Sequence, residues 1–408
     1  MTSDPPPSSD PLPPSGFDPL DTATGIPWAG YAQLRREAPV SRAPGGAVFL
    51  ALQADVLAAT KAVDVFRANF REPGIVVPPE EMLISEIPEP RHGQIRRIVN
   101  SAIAAHRIGR VEPFVREFTA ELVDRMIARG RCELVHDLVM PIPTSVIAHL
   151  LGAPPEDFEK WGEWSDEVVQ GDYPRLNRTA RGEGLAGGHP EFAAYIDGMI
   201  AAHRAADPPP DDFITRLLAT EVDGIRLNDV ELRTLLAFLL VSGNETTRHL
   251  LSNLLHTFAT RPDLLSALQA DPSLVHNAVE ESLRVDPPVM LLMRECIQDT
   301  TVRGMPIRKG EQVAFGIASS NRDENHYDAP DEFRLDRSQP KGHVAFGGGP
   351  HVCPGASLAR LEGRVLLDVL VEKVDRVELD VGYRWSKVPV FWANGPQELP
   401  ATLTAVGG

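Results

Sequence analysis

Cys353, near the C-terminus, stands where its surroundings favour metal binding. A glycine-rich run, Phe-Gly-Gly-Gly-Pro-His-Val, precedes it, and a helical pattern with Leu358 and Leu361 begins just after it. Amide groups and the dipole at the start of a helix lower the pKa of a thiol and favour the thiolate, the form that binds a metal. Glycines let the backbone approach a flat ligand and point amides at the sulfur. We predict a thiolate ligand here, against the alternative of a buried structural cysteine.

A polar group interrupts a long apolar segment in the middle of the chain. Asn228 and Glu231 have the spacing of a capping box, which predicts the start of a helix roughly 50 Å long at about 1.5 Å per residue. Both halves of this segment are rich in Leu and Phe, yet its centre contains Gly243, Glu245 and Thr246. By themselves these residues fit either a satisfied hydrogen-bond network or a catalytic acid beside an alcohol.

A third pattern pairs an acid with a base on one helical face. Glu281 and Arg284 are three residues apart, and Arg337 follows in the segment Phe-Arg-Leu-Asp-Arg. Such pairs are common on exposed helices. Alone, this pattern therefore carries little functional information.

Together these motifs resemble the cytochrome P-450 family. The match to its haem-binding loop is position by position at Phe346, Gly349, His351, Cys353 and Gly355. The resemblance implies a mainly α fold with small β-sheets (α+β), in which haem b, iron protoporphyrin IX, is buried between the long central helix and the cysteine loop. Cys353 is then the iron ligand.

The central helix and the acid–base pair extend this resemblance. Gly243, Glu245 and Thr246 fit the family's acid–alcohol pair over the distal haem face, where Ser242 replaces a common alanine or glycine. The family's Glu-x-x-Arg pair and its partner, to which the resemblance gives a structural role, match Glu281, Arg284 and Arg337. Partners for the haem propionates are implied at His92, Arg96, Arg294 and His351.

The resemblance covers nearly everything from about residue 30 to the end. We expect a disordered, Pro-rich lead-in at residues 1–16 and a single domain over residues 17–408. Helical patterns dominate the first two-thirds, and shorter strands follow, including a hairpin predicted within Gly304–Phe315.

The chemistry implied by the family is that of a monooxygenase. A thiolate ligand favours cleavage of bound dioxygen, with Thr246 positioning the oxygen and the proton donor and Glu245 relaying protons. The expected substrate is a hydrophobic small organic molecule. The family's pocket positions fall on Phe238, Val241, Ser242, Met290, Leu291, Trp392 and Ala393, and the predicted entrance on residues 69–89 and 182–188.

The two electrons must come from another protein, because the chain has no Gly-x-Gly-x-x-Gly turn, flavin segment or cluster motif. We expect a separate ferredoxin or flavodoxin with its reductase. Its expected docking patch, on the cysteine side of the haem, contains Arg96, Arg97, Arg360 and Arg364.

Composition narrows the alternatives. The chain has 408 residues, 43% hydrophobic, and a formal net charge of −17, which argues against nucleic acid or an anionic membrane as main partner. Its three separated cysteines cannot form a four-thiolate cluster and disfavour a disulfide framework. The N-terminal residues lack the pattern of a signal peptide or membrane anchor, so we expect a cytoplasmic protein.

Two other functional classes remain open at this stage. A haem-thiolate peroxygenase, isomerase or coupling enzyme would typically alter the Glu245–Thr246 pair, which is intact. A non-catalytic haem protein that binds a small ligand needs only Cys353. Turnover with a reductase system distinguishes all three classes.

Overall fold

The computed structural model describes residues 17–22, 25–68, 77–103, 105–170, 189–338 and 342–407. The lead-in at 1–16, the entrance segment at 182–188 and residues 69–76 of the other entrance segment lie outside these ranges. Those predictions therefore stay predictions, as does the domain boundary at residue 17.

Helices dominate the described chain, as the sequence predicts. In chain order they are α1 (Trp28–Glu37), α2 (Gln53–Lys61), α3 (Arg91–Ala102), α4 (Ala105–Arg129), α5 (Pro141–Leu150), α6 (Phe158–Gln170), α7 (Pro190–Ala205), α8 (Phe213–Ala219), α9 (Asp229–Thr260), α10 (Pro262–Ala270), α11 (Val275–Val285), α12 (Ile317–Ser320) and α13 (Ala356–Lys373).

The strands form three small sheets. Their bounds are β1 (Val40–Arg42), β2 (Val48–Leu50), β3 (Phe66–Ala68), β4 (Arg131–Glu133), β5 (Leu291–Cys296), β6 (Thr300–Val302), β7 (Met305–Ile307), β8 (Gln312–Gly316), β9 (Val374–Leu379) and β10 (Pro400–Ala405). The largest has the order β1-β2-β8-β5-β3, in which only β2 and β8 are parallel neighbours. The others have the orders β4-β10-β9 and β6-β7.

The prediction of a hairpin within Gly304–Phe315 is wrong, because its two strands, β7 and β8, do not pair with each other. The turn lies earlier, at Arg303 and Gly304, whose φ angles are 49° and 84°. Strand β7 consequently pairs with β6, while β8 joins β5 and β2 in the large sheet.

The central helix α9 begins at the predicted capping box. The Asn228 side chain accepts the Glu231 amide at 2.9 Å, and the Glu231 carboxylate accepts the Asn228 amide at 2.9 Å. Helix α13 packs closely at Gly363, where a Cβ would lie 3.4 Å from Leu254 of α9 and 3.3 Å from Val279 of α11. Helix α13, which follows Cys353 and is called the cysteine helix below, therefore shares one core with the central helix.

A buried ionic network fixes the segment that leads to the cysteine loop. Arg284 donates two hydrogen bonds to Glu281, at 2.8 and 3.0 Å, and Arg337 donates a third at 2.9 Å. Glu281 and Arg284 are completely buried. Arg284 also donates to the carbonyls of Asn321 and Pro330. The network thus ties α11 to the chain that precedes the loop.

Loss of the Glu281 carboxylate should strongly destabilise the protein. Glu281→Ala leaves two arginines buried without their counter-charge, which costs about 3–5 kcal/mol. As a control, Asp263→Ala breaks the exposed pair with Arg261 and should cost at most about 1 kcal/mol. Denaturant unfolding measures both. Equal losses in the two variants would contradict the structural role of the network.

Candidate functional site

The cysteine loop is shaped by close packing against the end of α2. Cys353 donates its amide to the Phe346 carbonyl at 2.9 Å. Gly349 has φ of 61°, and a Cβ there would lie 2.4 Å from the backbone oxygen of Thr60. A Cβ on Gly348 would lie 2.6 Å from the Thr60 hydroxyl. These two glycines therefore allow the loop to approach α2, and the approach to a flat ligand that the sequence predicts for them stays a prediction.

Cys353 differs from the other two cysteines in its environment. Its side chain is exposed, whereas Cys132 and Cys296 are buried. Protein atoms still surround much of its sulfur, and this desolvation raises the pKa of the thiol, although the Gly355 and Ala356 amides and the Arg96 and Arg360 charges lower it. The lowering predicted from the helix start is therefore outweighed by desolvation. A coordinated metal cation would itself deprotonate the thiol.

Four basic side chains gather beside this loop. The His92 ring, on α3, packs on the His351 ring with centroids 4.1 Å apart. Arg96, one turn along α3, donates to the Val352 carbonyl at 2.6 Å. Arg294, on β5, lies with its guanidinium carbon 5.6 Å from the centre of the Phe315 ring.

The electrostatics of this cluster favour an anionic ligand. Burial lowers the pKa of Arg294 to about 10. Burial, followed by the charges of His92, Arg294 and Arg96, lowers the pKa of His351 to about 4. Among the described residues, Arg294 has no carboxylate within ion-pair distance; the hydrogen bond from its own side chain goes to the Met293 carbonyl. A buried cation without a counter-ion is unfavourable, so the residues fit the carboxylates of a haem.

On the central helix, a stripe of partly accessible residues contrasts with buried neighbours. It comprises Phe238, Val241, Ser242, Gly243 and Thr246. The Thr246 hydroxyl donates to the Ser242 carbonyl at 2.7 Å, and the Ser242 hydroxyl to the Phe238 carbonyl at 2.6 Å. The predicted alcohol therefore faces the same side as three of the predicted pocket residues.

Glu245 is held in a buried ionic cluster that the sequence analysis missed. One Arg248 nitrogen lies 2.6 and 2.5 Å from its two oxygens, and His249 Nε2 lies 2.9 Å from Oε1. Burial alone would raise the pKa of Glu245, but the adjacent His249 and Arg248 side chains lower it overall. The sequence did contain a signal for this cluster: Arg248 and His249 follow Glu245 by three and four residues, which places all three on one side of the helix.

The other predicted pocket residues divide into two groups. Trp392 is half-buried. Met290, Leu291 and Ala393 are at most 2% exposed, and the first two pack in a core cluster with Tyr31 and Phe49. Buried side chains can line an enclosed pocket, so the prediction that Met290, Leu291 and Ala393 line it stays a prediction.

The arginines predicted for the docking patch are less available than the sequence suggests. Arg96 is buried, so it is not a surface charge. Arg97 pairs with Asp223, Arg360 with Glu280, and Arg364 with Glu112 and Asp368. Arg360 and Arg364 line an open cleft of about 270 Å³, together with Glu112, His276, Val279, Ser357 and Leu361.

A haem bound through a cysteine thiolate is the group that this donor set would fit, since the accessible Cys353 adjoins basic side chains that need an anion. Comparison with known proteins agrees. Residues 187–375 match the sequence profile of the cytochrome P-450 family. The steroid C26-monooxygenase of Mycobacterium tuberculosis is 34% identical over 382 residues, which cover 92% of this chain and 93% of that protein.

Two further proteins extend the comparison. The erythromycin C-12 hydroxylase of Saccharopolyspora erythraea is 34% identical over 361 residues, covering 88% of this chain and 89% of that protein. The structure of a cytochrome P-450 from Chondromyces apiculatus has a TM-score of 0.83 and 33% identity, covering 94% of this chain and 96% of that one.

The chain therefore belongs to the cytochrome P-450 family and is a haem-dependent monooxygenase, an oxidoreductase. The predicted family, fold class and activity are confirmed. Within the described ranges, no helix combines the length and the apolar character needed to span a membrane.

Replacing the cysteine should remove the thiolate signature of the haem. In the dithionite-reduced protein with carbon monoxide, we expect a strongly red-shifted Soret band that disappears in Cys353→Ser. Cys296→Ser is the matched control, since its thiol, which lies 3.0 Å from the Gln298 carbonyl, can be replaced by a hydroxyl donor. A red-shifted band that survived in Cys353→Ser would refute the assignment of the ligand.

Proposed function

We propose that the protein binds haem b through Cys353, with the propionates held by His92, Arg96, Arg294 and His351, and hydroxylates a hydrophobic small molecule. The observation that carries this proposal is the buried Arg294, without a carboxylate partner among the described residues, in the same cluster as the cysteine loop. Non-covalent haem b is favoured because the sequence has no Cys-x-x-Cys-His attachment motif.

Phe346, Gly349 and Gly355 complete the proposed cofactor site. The Phe346 carbonyl holds the cysteine backbone, and its ring lies 4.5 Å from the Arg360 guanidinium carbon. A Cβ on Gly355 would lie 3.8 Å from the Cys353 sulfur. Gly243, on the accessible stripe of α9, is also proposed for this site; a Cβ there would lie 3.1 Å from Ile147 of α5, so this glycine keeps α9 close to α5.

The haem would supply activation of dioxygen, which a thiolate ligand favours. Thr246 has the geometry for the positioning role. Its hydroxyl donates to Ser242, and a hydroxyl that donates one hydrogen bond can still accept two. It can therefore hold a proton-bearing water on the accessible side of the helix. Glu245, ionised in its cluster, is the adjacent group able to accept and pass on a proton.

A bulky, largely apolar molecule is the proposed substrate. Phe238 and Val241 present apolar surface on the stripe, and Ser242 already donates to a backbone carbonyl. Trp392 adds a half-buried aromatic side chain. Two relatives are named for erythromycin and for steroids, which supports substrates of that size and polarity.

The family depends on electrons from redox partners, and we propose a separate ferredoxin or flavodoxin with its reductase. The cleft beside Arg360 and Arg364 adjoins the cysteine helix and is the proposed docking place. Its arginines are balanced by Glu112, Glu280 and Asp368. Steering by charge should therefore be modest.

Thr246→Ala tests the positioning role. We expect it to keep the haem and the substrate-induced spin-state change, because it alters neither the cysteine loop nor the apolar pocket. Product formed per reductant consumed should fall several-fold, with peroxide taking up the difference. The reason is that a positioned proton donor contributes at least about 100-fold to the rate of the step it assists. Thr247→Ala, a buried neighbour off the stripe, is the control. Unchanged coupling in Thr246→Ala would exclude the role.

Charge reversal tests the docking proposal. Arg364→Glu should slow electron transfer from a ferredoxin by roughly two- to threefold at low salt and flatten its salt dependence. Arg360 is left intact because it packs over Phe346 and pairs with the buried Glu280. Arg261→Glu, at an exposed pair outside the cleft, should have no effect. An electron-transfer rate and salt slope equal to those of the wild type would count against docking here.

A further inference from the structure

The central helix is attached at two points, one turn apart, to the C-terminal loop (residues 386–396). Asn253 donates to the Asn394 carbonyl at 3.0 Å. The His249 ring packs on Gly395 so closely that a Cβ at position 395 would lie 2.4 Å from Nδ1. Trp392, a proposed substrate contact, belongs to the same loop. A displacement of this loop therefore reaches His249 directly.

His249 connects this loop to Glu245. Its Nε2 lies 2.9 Å from Glu245 Oε1, and both side chains are almost completely buried. Despite that short distance, neither ring nitrogen has a well-aligned hydrogen-bond partner among the described residues. Hydrogen bonds weaken steeply with misalignment. A small rotation of the ring would thus strengthen or break its hold on the carboxylate.

Charged groups around the ring define what it can contribute. Burial lowers the pKa of His249, Glu245 raises it, and Arg248 and Lys387 lower it further. The ring is therefore neutral near pH 7, and its means of holding Glu245 is an Nε2–H donor that reaches the carboxylate when the ring turns into alignment. The Lys387 ammonium group donates to the carbonyls of Val388, Val390 and Ala393, and so stabilises the loop that contacts the ring.

We propose that His249 is a positioning residue that holds Glu245 with Arg248 and transmits movement of the C-terminal loop, through Gly395, to this acid. The inference rests on the proton-relay role in the proposed function. A molecule bound against Trp392 would shift the loop, turn the ring and leave Arg248 as the principal partner of the carboxylate. Proton delivery would thereby respond to substrate.

Four variants separate this role from general stability. His249→Phe removes the donor but keeps a ring, and Gly395→Ala displaces the ring without changing its chemistry. His249→Gln keeps an N–H donor near the position of Nε2. Asn253→Ala breaks the other attachment but keeps the contact between Gly395 and His249, through which movement of the loop is proposed to reach Glu245. Each is examined as the reduced carbon monoxide complex, whose red-shifted band reports an intact haem site.

The first measurement is the pKa of Glu245 by ¹³C NMR of that complex, with its signal assigned by loss in Glu245→Gln. His249→Phe and Gly395→Ala should raise this pKa, which means about tenfold tighter proton binding per pKa unit. His249→Gln and Asn253→Ala should match the wild type. No change in His249→Phe, or an equal change in Asn253→Ala, would overturn the proposal.

The second measurement is reductant consumption without organic substrate, driven by a surrogate ferredoxin and its reductase. It should rise several-fold in His249→Phe and Gly395→Ala and stay near the wild-type rate in the other two variants. If His249→Phe fails to bind haem, Gly395→Ala carries the test alone. Wild-type consumption in both would refute the inference. If Glu245→Gln and Thr246→Ala also leave coupling unchanged, the proposed proton path itself has failed.

Discussion

A charge removed from water needs an opposite charge or a full set of hydrogen bonds, and this constraint organises the interior of the protein. The buried carboxylate of Glu281 is neutralised by two arginines. Glu280 is paired with His343 and Arg360, which bring its pKa down to about 2. Glu362 responds differently, because complete burial raises its pKa well above the ordinary value and so favours the neutral form. Arg294 meets the constraint only if an anion binds beside the cysteine loop.

The cysteine loop obtains its shape from elements far away in the chain. Gly349 accepts the close approach of α2, and the Glu281 network anchors the segment just before the loop. The cysteine helix then packs at Gly363 against both the central helix and α11. These three contacts hold the backbone of the cysteine loop in place, and the Gly355 and Ala356 amides then act on the thiol.

On the opposite side of the proposed haem, polarity is divided between two faces of one helix. Thr246 faces the accessible stripe with apolar neighbours, whereas Glu245 turns into the core toward Arg248 and His249. Adjacent residues point about 100° apart on a helix, so an acid and an alcohol in sequence cannot share one environment. This division lowers the pKa of the buried acid, and His249 lies between its carboxylate and Gly395 of the C-terminal loop.

The sequence by itself determined the features that depend on local spacing. These are the start of the central helix at Asn228, the cysteine before a helix, and the Glu281–Arg284 pair. Tertiary structure alone decided the burial of Met290 and Leu291, the contact of His249 with Gly395, and the direction of the Cys353 pKa. The physical reason is that desolvation and ion pairing sum over neighbours brought together from distant parts of the chain, whereas helix caps and helical faces are set by residues a few positions apart.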